Sequence, residues 1–489
     1  MSQPTRVVDI AVESNLGCCG LLGMNLTELL DESAARWPEK PAVVEGDFAI
    51  SYKALQTKIS SLASQLQQLQ LSPSCRIGLC YPNCIDYVVA TFALWRMNIV
   101  VVPIPTESSE EEFLTIAASM ELAGILSQKP LGNSRQIQEN CFFTRAQPAT
   151  RADNHGLNIA FIRFTSGTTS VRKGVVLCHE TIRDRILAAN KALQITAEDR
   201  VMWCLPMSHH FLITIVLYLS QGATIVMARH VLARSFLEAI NRWQGTVLYA
   251  APFHYAMLAR DNSNLGIPSV RLAVSTTCAL PQDVAEDFQK RFNRPLVQGL
   301  GIIELGLVSL NTSDPGTRWN SVGRPLPDFQ VRILSPDEEG CGEVAVRGPG
   351  FLDAYASPWM SRDQILRDGW FITGDIGRFD KDGFLFLSGR KTAVINVAGR
   401  KVFPEEIEAV LNQHPAVRES RAYGRLHSHL GEIIEAELVL THPGTNLDTV
   451  RDFCRSHLAS FKIPSNLHVV NSLPRTAVTG KIRREAALA

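Results

Sequence analysis

The stretch Phe164-Thr165-Ser166-Gly167-Thr168-Thr169-Ser170-Val171-Arg172-Lys173-Gly174 is the most informative in the chain. Hydroxyl side chains and one glycine fill residues 165–170, and a lysine follows. A loop of this composition suits a polyphosphate. Hydroxyls and backbone N–H groups donate to oxygens, glycine lets the backbone approach, and lysine places a point charge. The same composition equally describes a plain Ser/Thr-rich surface turn. It is not a Walker A sequence, because Gly167 lies six residues before Lys173 and the next glycine follows the lysine.

Outward from this loop, the common motifs of other enzyme classes are missing. Gly299-Leu300-Gly301 lacks the third glycine of a dinucleotide fingerprint and runs on to Glu304, and neither HExxH nor GxSxG occurs. Kinase, dehydrogenase, zinc-protease and esterase readings therefore lack their signatures. At 489 residues the chain exceeds the ~250–300 at which single cores stop growing, so at least two domains are expected. Lysine plus arginine (48) equals aspartate plus glutamate (48), a balance that argues against a nucleic-acid surface or a polybasic membrane anchor. The 11 cysteines are scattered from Cys18 to Cys454 without a CxxC pair, the pattern of reduced thiols in a cytoplasmic protein. Cys80 and Cys84 read as buried structural thiols. Gly17–Leu22 has no basic lead into a long apolar run, so neither a signal peptide nor a membrane span is expected.

Short apolar runs alternate with helical patterns. Asn25 is positioned to cap a helix whose apolar face is Leu26, Leu29, Leu30, Ala34 and Trp37. Arg76–Tyr81 and Asn98–Pro105 read as buried strands around a helical Asp86–Met97. Val270–Ser275 and Pro295–Leu300 flank a helical Asp283–Phe292 in the same way. This alternation predicts α/β layers with mainly parallel sheets. After about residue 315, Gly340–Gly350 and Trp370–Gly389 carry the turn signals of short strands. Alternation then resumes with a helix over Glu405–Gln413, a strand over Ile433–Leu440 and a helix over Leu447–Leu458, which sets a domain boundary near Arg390.

The loop resembles the phosphate loop TSGTTGxPKG of the adenylate-forming superfamily: acyl- and aryl-CoA synthetases, peptide-synthetase adenylation domains and luciferases. Gln298-Gly299-Leu300-Gly301-Ile302-Ile303-Glu304 is similar to the family's QGYGxTE. Ser321–Pro325, Gly342–Val344 with Arg347–Pro349, Gly369–Asp375, Gly389-Arg390, Gly399 with Pro404–Glu408, and Pro474–Thr476 with Gly480-Lys481 follow in the family's order and at about its spacing. One such motif is weak evidence; a run of them from residue 25 onward is strong. The likeness is greatest to stand-alone acyl- and aryl-CoA ligases.

The resemblance implies an α/β fold, with a large N-terminal adenylation core of layered subdomains over residues 1–389. A small mobile α+β domain over 390–489 carries the catalytic lysine. It implies ATP and Mg²⁺ as cofactors and two steps: a carboxylate attacks the α-phosphate to give an acyl-adenylate and pyrophosphate, and a thiol then displaces AMP. Positioning and charge neutralisation dominate such chemistry. Carried over by position, Thr165, Ser166, Thr168, Thr169 and Lys173 hold phosphates beside Gly167. Glu304 binds Mg²⁺, Asp375 takes the ribose hydroxyls with Arg390 beside it, and Gln298, Gly299 and Leu300 border the nucleotide. Lys481, with Lys173 and Glu304, is catalytic. Gly399 lines the thiol tunnel or is a simple hairpin glycine. His210 gates the acid pocket, which Ala251, Ser275, Gly299 and Gly306 line.

Several positions depart from the family pattern. Ser170 and Arg172 stand where glycine and proline are usual, Leu300 where a tyrosine stacks on adenine, and Thr392 and Ala393 at the hinge. Ile303 replaces a threonine whose hydroxyl meets phosphate, a loss worth ~1.5–3 kcal/mol, or roughly ten- to a hundredfold. The segment Leu205–Phe211 has no acidic residue to pair an α-ammonium group, which favours a fatty or aryl acid over an α-amino acid. The acceptor is coenzyme A or the phosphopantetheine of an acyl or peptidyl carrier protein. A non-catalytic nucleotide-binding homologue is the reading from another class, motivated by Ile303 and Ala393. A kinase-like transferase is a further one, motivated only by the hydroxyl-rich loop.

Overall fold

The computed structural model describes residues 23–106, 108, 110–146, 153–164, 174–228, 232–397, 400–427, 431–475 and 482. Two nine-stranded sheets dominate it. The first runs, edge to edge, through Arg324–Pro325, Gly306–Leu310, Val297–Ile302, Leu272–Ser275, Val247–Ala250, Arg200–Trp203, Thr224–Met227, Pro41–Glu45 and Phe48–Ser51. Its six central strands, from Val297–Ile302 to Pro41–Glu45, are parallel, and its edges are closed by antiparallel hairpins. The second sheet has a parallel centre made of Ile159–Phe164, Val100–Pro103, Arg76–Cys80 and Gly124–Ser127. Its flanks, including Gly174–Cys178 and Ala354–Ala356 on one side, are antiparallel. Parallel pairing appears wherever a helix makes the crossover, and antiparallel pairing wherever a short turn does.

The expected elements form with small shifts at their ends. Arg76–Cys80 and Val100–Pro103 are buried strands, and the helix between them spans Ile85–Arg96. That helix is apolar on every side and buried over most of its length, as a helix enclosed between layers must be. Asn25 is not the cap itself: Leu26 holds that position before the helix Thr27–Arg36. Instead Asn25 Oδ1 accepts from Thr27 N at 3.0 Å and from Thr27 Oγ1 at 2.9 Å, an Asx turn that leads into the helix.

A single core joins both sheets. Val101, Phe161 and Leu177 of one meet Val201, Trp203 and Tyr249 of the other through the helices Ile85–Arg96 and His179–Leu193. The small antiparallel sheet Gln330–Leu334, Gly342–Arg347, Phe371–Phe379 and Leu385–Arg390 packs into it through Val344, Val346, Phe371 and Leu385. The C-terminal part has its own core, which begins at Ile395 and gathers Val402, Ile407, Leu411, Ile434, Leu438, Val450 and Cys454 under a five-stranded sheet. The molecule thus has a large N-terminal α/β part and a small C-terminal one. No helix among the described residues is long and apolar enough to cross a membrane.

Candidate active site

In open parallel sheets, ligands sit beyond the carboxyl ends of the strands where the strand order reverses. In the first sheet the chain passes from Arg200–Trp203 to Thr224–Met227 on one side, then to Val247–Ala250 on the other. Trp203 and Tyr249, paired in register at that reversal, stack with ring centroids 6.0 Å apart. His210 ends the short helix Met207–His210, and a π-helical turn, Phe211–Ile215, follows it. Such turns recur at functional sites because they re-aim side chains. The His210 ring meets Trp203 edge-on at 6.4 Å. Ser275, in register with Ala250 and Gln298, is fully buried beside them, and Ala251 caps the helix Pro252–Ala259.

Glu304 sits in the tight turn between Val297–Ile302 and Gly306–Leu310, and three groups fix that turn. Arg185, projecting from the helix His179–Leu193, donates to Ile303 O at 2.8 Å, Glu304 O at 2.6 Å and Gly350 O at 2.6 Å. Leu352 N also reaches Glu304 O at 2.8 Å. The carboxylate itself accepts from Tyr355 Oη at 3.0 Å on Oε1. Burial pulls the Arg185 pKa down to about 9 against the pull of Asp353 and Glu304, so it remains charged at neutral pH. Gly306 closes the turn at φ +90, close to Arg185 and Ile213, a conformation that suits glycine. Ile303, where the family has a hydroxyl, packs its side chain on the main core and gives its carbonyl to Arg185.

Asp375 lies on Phe371–Phe379 directly opposite Arg390 on Leu385–Arg390. Its side chain is mostly buried, and Oδ1 pairs with Arg390 Nε at 2.7 Å. Thr373 locks the corner: its hydroxyl accepts from Asp375 N at 3.0 Å, and its carbonyl accepts from Arg390 Nη1 at 3.0 Å. Gln298 is committed through Oε1 to Leu280 N at 2.5 Å. Leu300 is buried in the main core, and Gly299 runs so close to Ser309 O and Leu310 that a Cβ there would meet both at 2.8 Å.

The structure therefore brings together His210, Ala251, Ser275, Gln298, Gly299, Glu304 and Gly306 along neighbouring strand ends, and pairs Asp375 with Arg390. Thr165, Ser166, Gly167, Thr168, Thr169, Lys173, Gly399 and Lys481 lie outside the described residues. Sequence reasoning passed over Arg185, Tyr355 and Arg163, and it quoted Thr373 within Gly369–Asp375 without giving it a role. Arg185 was detectable as the one arginine buried on a helix face that also buries Thr181, Ile182, Ile186, Ala188 and Ala189. Arg163 interrupts the apolar strand Ile159–Phe164, whereas Tyr355 and Thr373 carry no signal of that kind.

This arrangement, with one carboxylate fixed on a turn and another on a strand, is that of an adenylate-forming α/β enzyme. The chain belongs to the AMP-binding enzyme family: residues 30–356 match the AMP-binding enzyme model, and residues 406–481 match the AMP-binding enzyme C-terminal domain. It is similar to a long-chain-fatty-acid–CoA ligase of Salmonella typhimurium, 26% identical over 525 residues and covering 94% of each chain. A 2-succinylbenzoate–CoA ligase of Bacillus licheniformis is 28% identical over 486 residues, covering 93% of this chain and 98% of that one. Its fold is that of the o-succinylbenzoate CoA synthetase of Bacillus subtilis solved with an acyl-adenylate intermediate. The TM-score is 0.83 at 24% identity, over 93% of this chain and 96% of the other.

Proposed function

We propose that this chain uses ATP to activate a fatty or aryl carboxylic acid as its acyl-adenylate and then transfers the acyl group to coenzyme A. The observation that carries this reading is Glu304. Its carboxylate is held by Tyr355 and its turn by Arg185, at the carboxyl ends of parallel strands in a chain of the AMP-binding family. In the first step a carboxylate oxygen forms a bond to the α-phosphorus while the bond to pyrophosphate breaks. In the second a thiolate attacks the acyl carbon and AMP departs with the bonding pair.

Asp375 accepts the ribose hydroxyls, and its ion pair with Arg390 keeps the carboxylate oriented for them. Gln298, Gly299 and Leu300 border the nucleotide. Thr165, Ser166, Gly167, Thr168, Thr169 and Lys173 surround the β- and γ-phosphates, and Lys481 neutralises charge building between the carboxylate and the α-phosphate. His210 gates the acid pocket, with Ala251, Ser275, Gly299 and Gly306 along it, and Gly399 lines the path of the thiol. In this reading residues 1–389 form the adenylation core and residues 390–489 the moving domain, in keeping with a separate core that begins at Ile395. The reaction belongs in the cytoplasm, in keeping with free thiols such as Cys75, Cys84 and Cys454.

Glu304 suits Mg²⁺. No group of three or more His, Cys, Asp or Glu side chains that would form an all-protein cage occurs among the described residues. A single carboxylate with one oxygen bonded to Tyr355 matches an ion that takes most of its ligands from water and phosphate. When bound, that ion supplies charge neutralisation to the phosphate oxygens.

The test is incubation with Mg·ATP and a panel of fatty and aromatic acids, reading pyrophosphate and AMP with and without coenzyme A. Acid-dependent pyrophosphate, lost in Lys481→Ala, and a rise in acyl-thioester with coenzyme A are expected. Pyrophosphate with no response to coenzyme A moves the acceptor to a carrier-protein phosphopantetheine. Nucleotide binding without pyrophosphate from any acid overturns the catalytic reading.

A further inference from the structure

The helix His179–Leu193 carries Arg185, which grips the turn of Glu304, but it begins without a cap of its own. Its cap position is Cys178, whose side chain accepts nothing from the first turn. The missing acceptor is Asp353, the residue that precedes the strand Ala354–Ala356. Asp353 Oδ2 accepts from Cys178 N at 2.7 Å, and Oδ1 accepts from the Thr181 hydroxyl at 3.0 Å. An anion at a helix start is favoured by the orphan N–H groups and by the helix dipole. Thr181 and Arg185 are four residues apart, so the carboxylate holds the helix on the face that reaches Glu304. Burial and then the Asp353 carboxylate push the Cys178 thiol well above its ordinary range, so that sulfur is a neutral neighbour and not a nucleophile.

Asp353 is joined as closely to the chain around it. Arg362 Nη2 donates to Oδ1 at 2.6 Å, and the same guanidinium reaches Leu352 O and Phe351 O at 2.9 Å each. Charge-assisted contacts of this kind are short and directional, which suits them to fixing position. Asp353 N donates to Val176 O at 2.9 Å, and Ala354 and Tyr355 then pair with Val176 and Val175. Their strand, Gly174–Cys178, follows in sequence the stretch 165–173 assigned above to the phosphates. On either side of Asp353 the chain touches Glu304. Leu352 N meets its carbonyl at 2.8 Å, and Tyr355 Oη meets its carboxylate at 3.0 Å. Three supports of Glu304 (Arg185, Leu352 and Tyr355) are thus fastened to one largely buried carboxylate.

We propose that Asp353 is a positioning residue for the adenylation step. By tying the start of the helix that carries Arg185 to the segment that carries Leu352 and Tyr355, it sets where the Glu304 carboxylate stands relative to the strand Gly174–Cys178. It acts through Glu304, and Arg362 keeps it in place. The inference rests on the adenylation reading above for the reaction it serves, whereas its effect on Mg²⁺-dependent ATP binding is measurable without that reading.

The experiment uses the full chain as wild type, Asp353→Asn, Arg362→Lys, Tyr355→Phe and the double variant of Asp353→Asn with Tyr355→Phe. For each, three quantities are read: the urea midpoint, the Mg²⁺ concentration for half-maximal pyrophosphate release, and the Mg²⁺ dependence of ATP affinity by calorimetry. Asparagine keeps the size and one acceptor of aspartate but sets an amide N–H against the guanidinium. Asp353→Asn is expected to raise the half-maximal Mg²⁺ about tenfold, the low end for a residue that supports a metal ligand from outside. Arg362→Lys keeps the charge but loses the fork to Leu352 O and Phe351 O, and should show a smaller shift in the same direction. In the double variant the shift should fall well below the product of the two single shifts, because both act on one carboxylate. A lower urea midpoint with an unchanged Mg²⁺ curve overturns the proposal and leaves Asp353 a brace. Shifts that multiply in full overturn it too, since Asp353 would then act elsewhere than through Glu304. Should Asp353→Asn fail to fold, the Mg²⁺ curve of Arg362→Lys decides the matter, shifted or not. If no acid gives pyrophosphate, the adenylation reading falls, and the Mg²⁺ dependence of ATP binding alone upholds or overturns the role of Asp353.

Discussion

Tyr355 Oη donates a 3.0 Å hydrogen bond to Glu304 Oε1, and in doing so it ties a strand of one nine-stranded sheet to a turn of the other. Burial and the neighbouring carboxylate push the Tyr355 hydroxyl above its ordinary range, so it stays protonated and remains a donor. Removing it frees the carboxylate from one fixed orientation without removing its charge. Tyr355→Phe is expected to lower kcat/KM for adenylation about tenfold and to raise the Mg²⁺ concentration for half-maximal rate. Glu304→Gln should cost about a hundredfold or more. Pyrophosphate release titrated against Mg²⁺ measures both, and equal Mg²⁺ curves for Tyr355→Phe and wild type would refute the positioning role.

Arg185 acts on the same turn through the backbone alone. Its three donors hold the carbonyls of Ile303, Glu304 and Gly350, which belong to segments far apart in sequence. Arg185→Met leaves the first and last without that donor and is expected to destabilise the protein by about 3 kcal/mol. Lysine cannot reproduce a planar fork, so Arg185→Lys should recover little of the loss. Urea unfolding midpoints decide it, and a loss below about 1 kcal/mol for the methionine variant would contradict the bracing role.

Much of this architecture was legible in the sequence because it rests on local patterns. The all-apolar Ile85–Arg96 and the short runs Arg76–Cys80 and Val100–Pro103 announce buried layers, since periodicity and burial are properties of neighbouring residues. Glu304, Asp375 and Arg390 were found because a motif lies in a contiguous segment. Tyr355 was not, because its meaning depends on a partner from the other sheet, and no spacing rule links residue 355 to residue 304. Asn25 shows the same limit on a small scale: an Asn before a helix predicts a cap, yet whether it stands at the cap or one position earlier depends on packing at Leu26.

The family-like segment Ser321–Pro325 has a structural explanation in its glycine. Gly323 has φ +86, and a Cβ there would lie 2.2 Å from the carbonyl carbon of Leu310 and 2.3 Å from Asn311 N. Those atoms are backbone of a sheet strand and its exit, so they cannot step aside cheaply. Gly323→Ala is expected to cost about 3 kcal/mol or more of stability from strain and the steric clash together. KM for ATP should stay at the wild-type value in whatever fraction folds. A marked rise in KM with an unchanged urea midpoint would return the glycine to the binding site.

His179 should make stability depend on pH in the mildly acidic range. It begins the helix His179–Leu193, is 2% exposed, and accepts Leu26 N on Nδ1 at 3.2 Å, which requires the neutral ring. Burial lowers its pKa from 6.5 to about 4. Between those values the unfolded chain binds a proton that the folded chain refuses, so stability rises with pH across the window and is complete above about 6.5. Lowering the pH from 7 to 5 should therefore remove about 2 kcal/mol through this one group. His179→Asn places a non-titrating acceptor near Leu26 N, so the variant should lose less stability than wild type between the same two pH values. Urea midpoints at pH 7 and pH 5 give the comparison. Identical pH slopes for the two proteins would mean that the ring is protonated in the native state, which would break the contact between the first helix and the start of the central one.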